Sequence, residues 1–130
     1  METKFNFNSQ VCTDVNQSRR LLALGLKKET ADMSIGHTGL LYPYPHREEE
    51  DRVFIPAWSL ARLVELLPYS IERHGKNWTL EVSKGYVRYG KVGTEKVYVG
   101  FIQKLDTYDA IIDCIEWLIK DGDFNKEYLV

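Results

Sequence analysis

Apolar and polar side chains alternate through residues 78–101, and this pattern constrains the fold more than any other feature of the chain. Such an alternation is typical of strands that have one buried face. Gly85 and Gly93 interrupt the apolar runs, where a tight turn needs a residue that accepts positive φ. The segment predicts an antiparallel meander of three strands, or a larger sheet containing it. Its apolar positions are Trp78, Leu80, Val82, Val87, Tyr89, Val97, Val99 and Phe101.

Residues 107–120 repeat their apolar side chains at helical spacing instead. The repeat consists of Tyr108, Ile111, Ile112, Ile115, Leu118 and Ile119. Asp106 or Thr107 can cap the first turn of this helix, and Gly122 can end it. We expect the apolar side of the helix to cover the apolar face of the meander.

A capping-box pattern predicts another helix near the start of the chain. Thr13 or Asp14 can accept hydrogen bonds from the first free N–H groups, and Gln17 can reach back to the cap. Gly25 can end this helix. Since helices precede and follow the strands, the expected fold is α+β, in a single domain over 1–130. The meander would pack against two or three helices.

The most apolar stretch, IPAWSLARLVELLP at residues 55–68, predicts a further helix. Ser59 is the better N-cap by chemistry, although Pro56 could be the first helical residue. With Ser59 as the cap, Trp58 and Leu63 occupy the two positions of a hydrophobic staple, which fixes how the chain enters the helix. The favoured interpretation is therefore a buried Trp58.

The alternative places Trp58, Arg62 and Leu66 in an exposed stripe on the same helix. Trp and Arg are favoured in interface hot spots, so such a stripe would be a binding site for a protein partner. Tyr42 and Tyr44 lie in the preceding loop and complete this candidate partner-binding set.

Residues 27–33 predict a short helical turn, and residues 36–52 predict an irregular loop. Two prolines in the loop resist a helix or a central strand, and four consecutive acids follow at 48–51. A loop of this length is either a functional element or a solvated flap.

The charges of the chain are unevenly placed, although the net charge is only −2. Residues 76–104 hold six Lys/Arg and two Glu, whereas residues 105–130 hold seven acids and two Lys. Segments of opposite charge can neighbour and partly neutralise each other in the fold.

Cysteine usage and the lack of a signal peptide predict a cytoplasmic location. Cys12 and Cys114 are too few and too far apart for a disulfide-rich secreted scaffold. The first ten residues carry no apolar signal region, and no apolar run is long enough for a membrane span. No membrane partner is expected.

Motifs for catalysis, metal ions and cofactors are missing from the sequence. There is no GxSxG, no glycine-rich phosphate loop and no metal-ligand spacing among His37, His46 and His74. The run at 121–127 lacks the glycine and glutamate of an EF-hand. We expect no metal, no cofactor and no catalytic residue, hence a protein that is not an enzyme. An enzyme whose site is assembled by folding and closed by the 36–52 loop is a third interpretation.

The polar face of the predicted meander supports nucleic-acid binding as the second interpretation. Aromatic side chains can stack on bases, and basic side chains can follow a phosphate backbone. The residues on this face, within 78–104, are Lys84, Tyr86, Arg88, Lys96 and Tyr98.

Two segments, QSRRLLALGLKKETADM and IPAWSLARLVELLP, resemble recurring segments of small uncharacterised proteins encoded by phages, prophages and mobile elements of gut bacteria. The resemblance implies an accessory protein that works inside a bacterial host cell. Because that family carries no assigned activity, it transfers no functional residue. The leading expectation is a non-enzymatic binding protein that contacts a protein partner or a second copy of itself.

Overall fold

The computed structural model of the chain describes residues 5, 9–36, 38–43, 54–91 and 98–130. Within these ranges the α-helices are α1 (Val15–Ala23), α2 (Leu60–Leu66) and α3 (Thr107–Asp121). A smaller antiparallel sheet contains β1 (Met33–Ile35), β2 (Leu41–Pro43) and β3 (Ile55–Ala57). A larger antiparallel sheet contains β4 (Ser70–Arg73), β5 (Lys76–Ser83), β6 (Tyr86–Gly90) and β7 (Tyr98–Gln103). The predicted α+β class is confirmed.

The larger sheet is a meander in the order β4-β5-β6-β7, so it contains the predicted strands and one more. Gly85 supplies the positive φ, 92°, that the turn between β5 and β6 requires. The additional strand, β4, precedes the predicted segment and has a single buried residue, Ile71. A strand this short gives little alternation from which to predict it.

α3 begins and ends where its sequence predicts. The Asp106 carboxylate accepts a hydrogen bond of 2.8 Å from the Tyr108 backbone N–H, and Gly122 ends the helix with a φ of 79°. The apolar side of α3 packs on β6 and β7. Its buried side chains share one cluster with Val87 and Tyr89, which confirms that the helix covers the meander.

Tyr89 shows how completely this core is closed. Its side chain is fully buried, and its hydroxyl donates a hydrogen bond of 2.8 Å to the Pro68 carbonyl. Burial also raises the pKa of Tyr89 above its ordinary value. The polar end of the ring is therefore satisfied inside the core.

α1 has the predicted caps at both ends. The Asp14 side chain accepts from the Gln17 backbone N–H at 2.7 Å, and the Gln17 side chain accepts from the Asp14 N–H at 3.0 Å. At the other end Gly25 donates to the Leu22 carbonyl, and Leu26 donates to the Leu21 carbonyl. This pair of bonds is the Schellman ending that Gly25 makes possible.

The smaller sheet lies where a helical turn and an irregular loop were expected, and both expectations are partly wrong. The helical turn is reduced to a 3₁₀ turn at Lys28–Thr30, and β1 begins three residues later, at Met33. β1 is the central strand and pairs with β2 on one side and β3 on the other. The predicted loop over 36–52 therefore contains a strand, β2, and its residues 44–52 lie outside the described residues.

Proline explains the arrangement of this sheet. β2 contains Pro43 and β3 contains Pro56, and both strands lie at the edges of the sheet. A proline has no N–H for the strand ladder, so it is tolerated at an edge. Because Pro56 belongs to a strand, it is not the first residue of α2, and Ser59 caps that helix as the favoured interpretation predicted.

In the part of the chain that the structure describes, no helix is both long and apolar enough to cross a membrane.

Candidate binding face of the larger sheet

Trp58 is buried, so the predicted exposed stripe on α2 is wrong. Its side chain has no exposed area, and its indole Nε1–H donates a hydrogen bond of 2.9 Å to the Thr30 hydroxyl. Leu66 is also buried, at 5% exposure. The half-buried Arg62 donates to the Thr30 carbonyl at 2.8 Å and pairs with Glu65. These residues fix α2 to the core and do not form a surface for a partner.

The polar partners of the residues at the start of α2 lie earlier in the chain, at Thr13 and Asp32. The Asp32 carboxylate accepts from the Ser59 backbone N–H at 2.8 Å and from its hydroxyl at 2.5 Å. The Trp58 backbone N–H donates to the Thr13 hydroxyl at 3.0 Å. Sequence reasoning missed this network, because each of its hydrogen bonds joins residues at least 27 positions apart along the chain.

Of the two loop tyrosines, the structure describes Tyr42. Tyr42 lies in β2 and is half-buried, and its ring packs edge-on against Phe54 with centroids 5.0 Å apart. Tyr44 lies outside the described residues. Of the partner-binding set Trp58, Arg62, Leu66, Tyr42 and Tyr44, the four described residues therefore do not form an exposed surface, because Trp58 and Leu66 are buried.

The side of the larger sheet that faces away from α3 carries a different cluster, which we call the aromatic–arginine face. Its members are Tyr86, Arg88, Tyr98 and Phe101. Tyr86 and Phe101 stack with centroids 5.6 Å apart, and Tyr98 and Phe101 lie 5.0 Å apart. Tyr98 is 42% exposed and Phe101 is 40% exposed. Three aromatic rings are thus held next to each other at the surface.

Phe101 reaches this face because β7 contains a β-bulge. Tyr89 pairs with Val99, and Val87 pairs with Ile102, so two residues of β7 lie opposite Arg88 alone. The extra residue reverses the alternation beyond it, which turns Phe101 outward and Ile102 toward the core. The predicted inward orientation of Phe101 is wrong for this reason.

Val82 was also predicted to be covered by the core. It lies opposite the buried Val87, but it is 37% exposed.

Gly100 makes the bulge possible. Its φ is 62°, and a Cβ built on it would lie 2.5 Å from the Trp117 ring. Glycine alone avoids both the strained φ and this clash. The indole of Trp117 therefore lies directly against the backbone of the bulge.

Gly100→Ala should destabilise the fold by roughly 1–3 kcal/mol more than Gly85→Ala. Both variants put a side chain at positive φ, but the nearest atom to a Cβ on Gly85 is 3.7 Å away. The difference between them isolates the clash with Trp117. Urea unfolding of the two variants measures it, and equal losses would show that the Trp117 ring moves aside at little cost.

Arg88 is held in the middle of the aromatic–arginine face. Its guanidinium makes an ion pair with Glu81 on the neighbouring strand. It also lies 5.2 Å from the Tyr86 ring centre and 5.5 Å from that of Tyr98. The hydrogen bond with Glu81 raises the pKa of Arg88. The planar cation is therefore fixed between two tyrosine rings.

A lysine at the rim of the face is available for a ligand. Lys84 is exposed just after the end of β5, and it makes no ion pair with another described residue. Lys76 is also exposed, but it pairs with Arg73 and has the orientation of the buried Trp78, so it lies on the α3 side of the sheet. Lys104, by contrast, lies 3.4 Å from Asp113 of α3. Of the predicted nucleic-acid set, Lys84, Tyr86, Arg88 and Tyr98 belong to this region of the sheet, and Lys96 lies outside the described residues.

Nucleophile and metal chemistry find no support in the described ranges. Burial raises the pKa of the Cys114 thiol to about 12. Burial, and then the charge of Asp32, raise the pKa of the Cys12 thiol. Both cysteines are therefore poor nucleophiles near neutral pH. No group of three or more His, Cys, Asp and Glu side chains among these residues could hold a metal ion. His37 and His46 lie outside them.

Two surface clefts of about 270 Å3 each lie away from the aromatic–arginine face. The first is mainly apolar and is lined by Gln10, Val11, Cys12, Thr13, Asp14, Val15, Ile35, Gly39 and Leu41. The second lies beside the Arg62–Glu65 ion pair of α2. The first cleft contains Cys12, whose pKa is raised, and Asp14, whose carboxylate accepts the capping hydrogen bond of α1.

The chain was compared with family models, curated proteins and solved structures, and none of them matches it.

Proposed function

We propose that this protein is a non-enzymatic binding protein that holds nucleic acid on the aromatic–arginine face. The observation that carries the proposal is the grouping of three aromatic rings and Arg88 on one solvent-facing side of a sheet. Sheets with exposed aromatic side chains bind RNA by stacking bases on the rings. Arginine adds cation–π contacts to the same kind of surface.

The distribution of charge supports this choice of ligand. Acidic side chains of α3 and the segment after it are paired with cations elsewhere: Asp113 and Glu116 with Arg20, and Asp121 and Asp123 with Arg73. The rim of the aromatic–arginine face instead offers the exposed Lys84. A chain with a net charge of −2 thus keeps exposed positive charge beside its aromatic rings, where a phosphate backbone would lie.

The size of the face also favours a small, flat group. A fully covered aromatic side chain buries 150–250 Å2. Because Tyr98 and Phe101 are 42% and 40% exposed, the rings together offer about 160 Å2. A stable protein–protein interface needs about 800 Å2 on each partner. The rings suffice for stacking bases but form only a minor part of an interface between proteins.

Contact with a protein partner, or with a second copy of the chain, is the second candidate function. The Arg88–Glu81 ion pair favours it, because it neutralises the arginine, and Tyr and Arg are frequent in interface hot spots. This candidate would use the sheet and not the buried Trp58. The resemblance of two sequence segments to phage and mobile-element proteins supports an accessory role in a bacterial host, which we keep as a proposal.

Titration of 15N-labelled protein with single-stranded and duplex oligonucleotides at low salt tests the proposed function. The amide signals of Tyr86, Arg88, Tyr98 and Phe101 should shift, while those of α1 should not. Inorganic polyphosphate, which carries phosphate charge without bases, is the control and should leave Tyr98 and Phe101 unchanged. The absence of shifts with every oligonucleotide would reject nucleic-acid binding, and a doubling of mass in light scattering would support the second candidate.

A further inference from the structure

We infer that the nucleic acid bound by this face is single-stranded, and that stacking of unpaired bases contributes more to its affinity than phosphate contacts do. The inference rests on the proposed function. It is carried by three features of the larger sheet: its width, the position of its exposed rings and the small number of unpaired cations among the described residues at its rim.

The width of the sheet excludes reading of a duplex through its major groove. Neighbouring strands lie about 4.8 Å apart. The backbones of the four strands therefore span about 14 Å before side chains are added, whereas the major groove is about 12 Å wide and admits a helix or a two-stranded ribbon. In a duplex the faces of the bases are also covered by their neighbours. Only unpaired bases can offer their faces to the rings.

The geometry of the rings indicates where the bases stack. Tyr86 is already stacked on Phe101 at an interplanar angle of 22°, and Arg88 lies over it. Tyr98 and Phe101 are the more exposed rings, and their planes are inclined by 39°. Tyr98 and Phe101 therefore offer places for about two bases, in line with the two or three bases that aromatic sheet faces stack in RNA-binding domains.

The supply of unpaired cations limits the contribution of phosphates. Among the described residues at the rim, Lys84 is exposed and makes no ion pair. If it contacts one phosphate, the affinity for a single strand falls with a log–log salt slope of about −0.7. Raising the salt from about 50 to 200 mM then weakens binding about threefold, compared with the 10³–10⁵-fold loss of proteins with 6–10 phosphate contacts.

Fluorescence anisotropy with a labelled 12-nucleotide oligothymidylate, the matching oligouridylate and a 12-base-pair duplex tests the inference. The single strands should bind and the duplex should not. Tyr98→Ala and Phe101→Ala should each weaken single-strand binding about 5- to 150-fold, the usual effect of removing one stacking side chain. Tyr98→Phe and Phe101→Tyr retain a ring and should restore binding.

Tyr69→Ala is the matched control, because Tyr69 is 79% exposed but lies outside the aromatic–arginine face. It should leave the affinity unchanged. Thermal unfolding of each variant checks that the fold is retained, and the ring-retaining variants keep the test valid if an alanine variant fails to fold. Lys84→Ala should reduce the salt slope without abolishing binding.

The possible failures are distinguishable. Duplex binding as tight as single-strand binding, with a steep salt slope, would overturn the inference and leave the proposed function standing. Single-strand binding that survives both alanine substitutions would overturn the assignment of this face. If no oligonucleotide binds to the full chain, the proposed function itself fails.

Discussion

Trp58→Ala is expected to destabilise the protein by roughly 3–5 kcal/mol, the usual cost of truncating a fully buried aromatic side chain. The ring has no exposed area and belongs to the largest buried cluster. Its removal leaves a cavity that α2 cannot close, because Ser59 is held by Asp32 and Arg62 by Thr30. The substitution also leaves the Thr30 hydroxyl without its indole partner.

Urea unfolding measures this loss, and two further variants divide it into parts. Trp58→Phe keeps most of the ring volume but removes the indole N–H, so it should cost less than Trp58→Ala. Leu60→Ala, at a residue 37% exposed on the same helix, should change stability by no more than about 0.5 kcal/mol. An alanine variant of Trp58 as stable as the parent would mean that this residue does not anchor α2.

Ile115→Ala is expected to cost roughly 2–5 kcal/mol, the range for a buried large-to-small change. Ile115 is fully buried in the middle of α3, whose apolar side covers β6 and β7. The surrounding cluster contains the rigid rings of Tyr89 and Tyr108, which limits how far the cavity can collapse.

Chemical denaturation measures the stability of Ile115→Ala, and Lys120→Ala, on the exposed side of α3, is its control. The lysine variant should stay within about 0.5 kcal/mol of the parent. An equally small loss for the isoleucine variant would contradict the assignment of this helix side to the core. Since neither residue lies on the aromatic–arginine face, both variants should retain any binding that the folded protein shows.

The helices and the meander could be predicted because their signals are local. Asp14 with Gln17, Ser59, and Asp106 with Gly122 mark helix ends through hydrogen bonds over a few residues. The alternation over 78–101 likewise needs only neighbouring side chains. These are the elements for which the sequence-based expectation and the structure agree.

The smaller sheet could not be predicted, because each of its strands is three residues long. So short a strand has no measurable period. The pairing of β1 with β3 also joins residues that are 20 to 24 positions apart. Tertiary packing, not local propensity, selects strands at these positions.

The candidate site could be predicted in part. Tyr86, Arg88 and Tyr98 share one face because the simple alternation holds through β6 and at the start of β7. Phe101 was assigned to the opposite face, since one extra residue reverses every orientation beyond it. Gly100 within a strand pattern is the one signal of a bulge that the sequence contained.

The prolines of the smaller sheet have a consequence for how the protein behaves in a crowded cell. An unprotected edge strand is a template on which another chain can add, and this is a route to aggregation. The smaller sheet carries a proline in each outer strand, Pro43 and Pro56, so further growth is hindered on both sides. The larger sheet protects its edges by other means, the charged Glu72 and Arg73 in β4 and the bulge in β7. Each sheet thus ends in features that disfavour fibril formation.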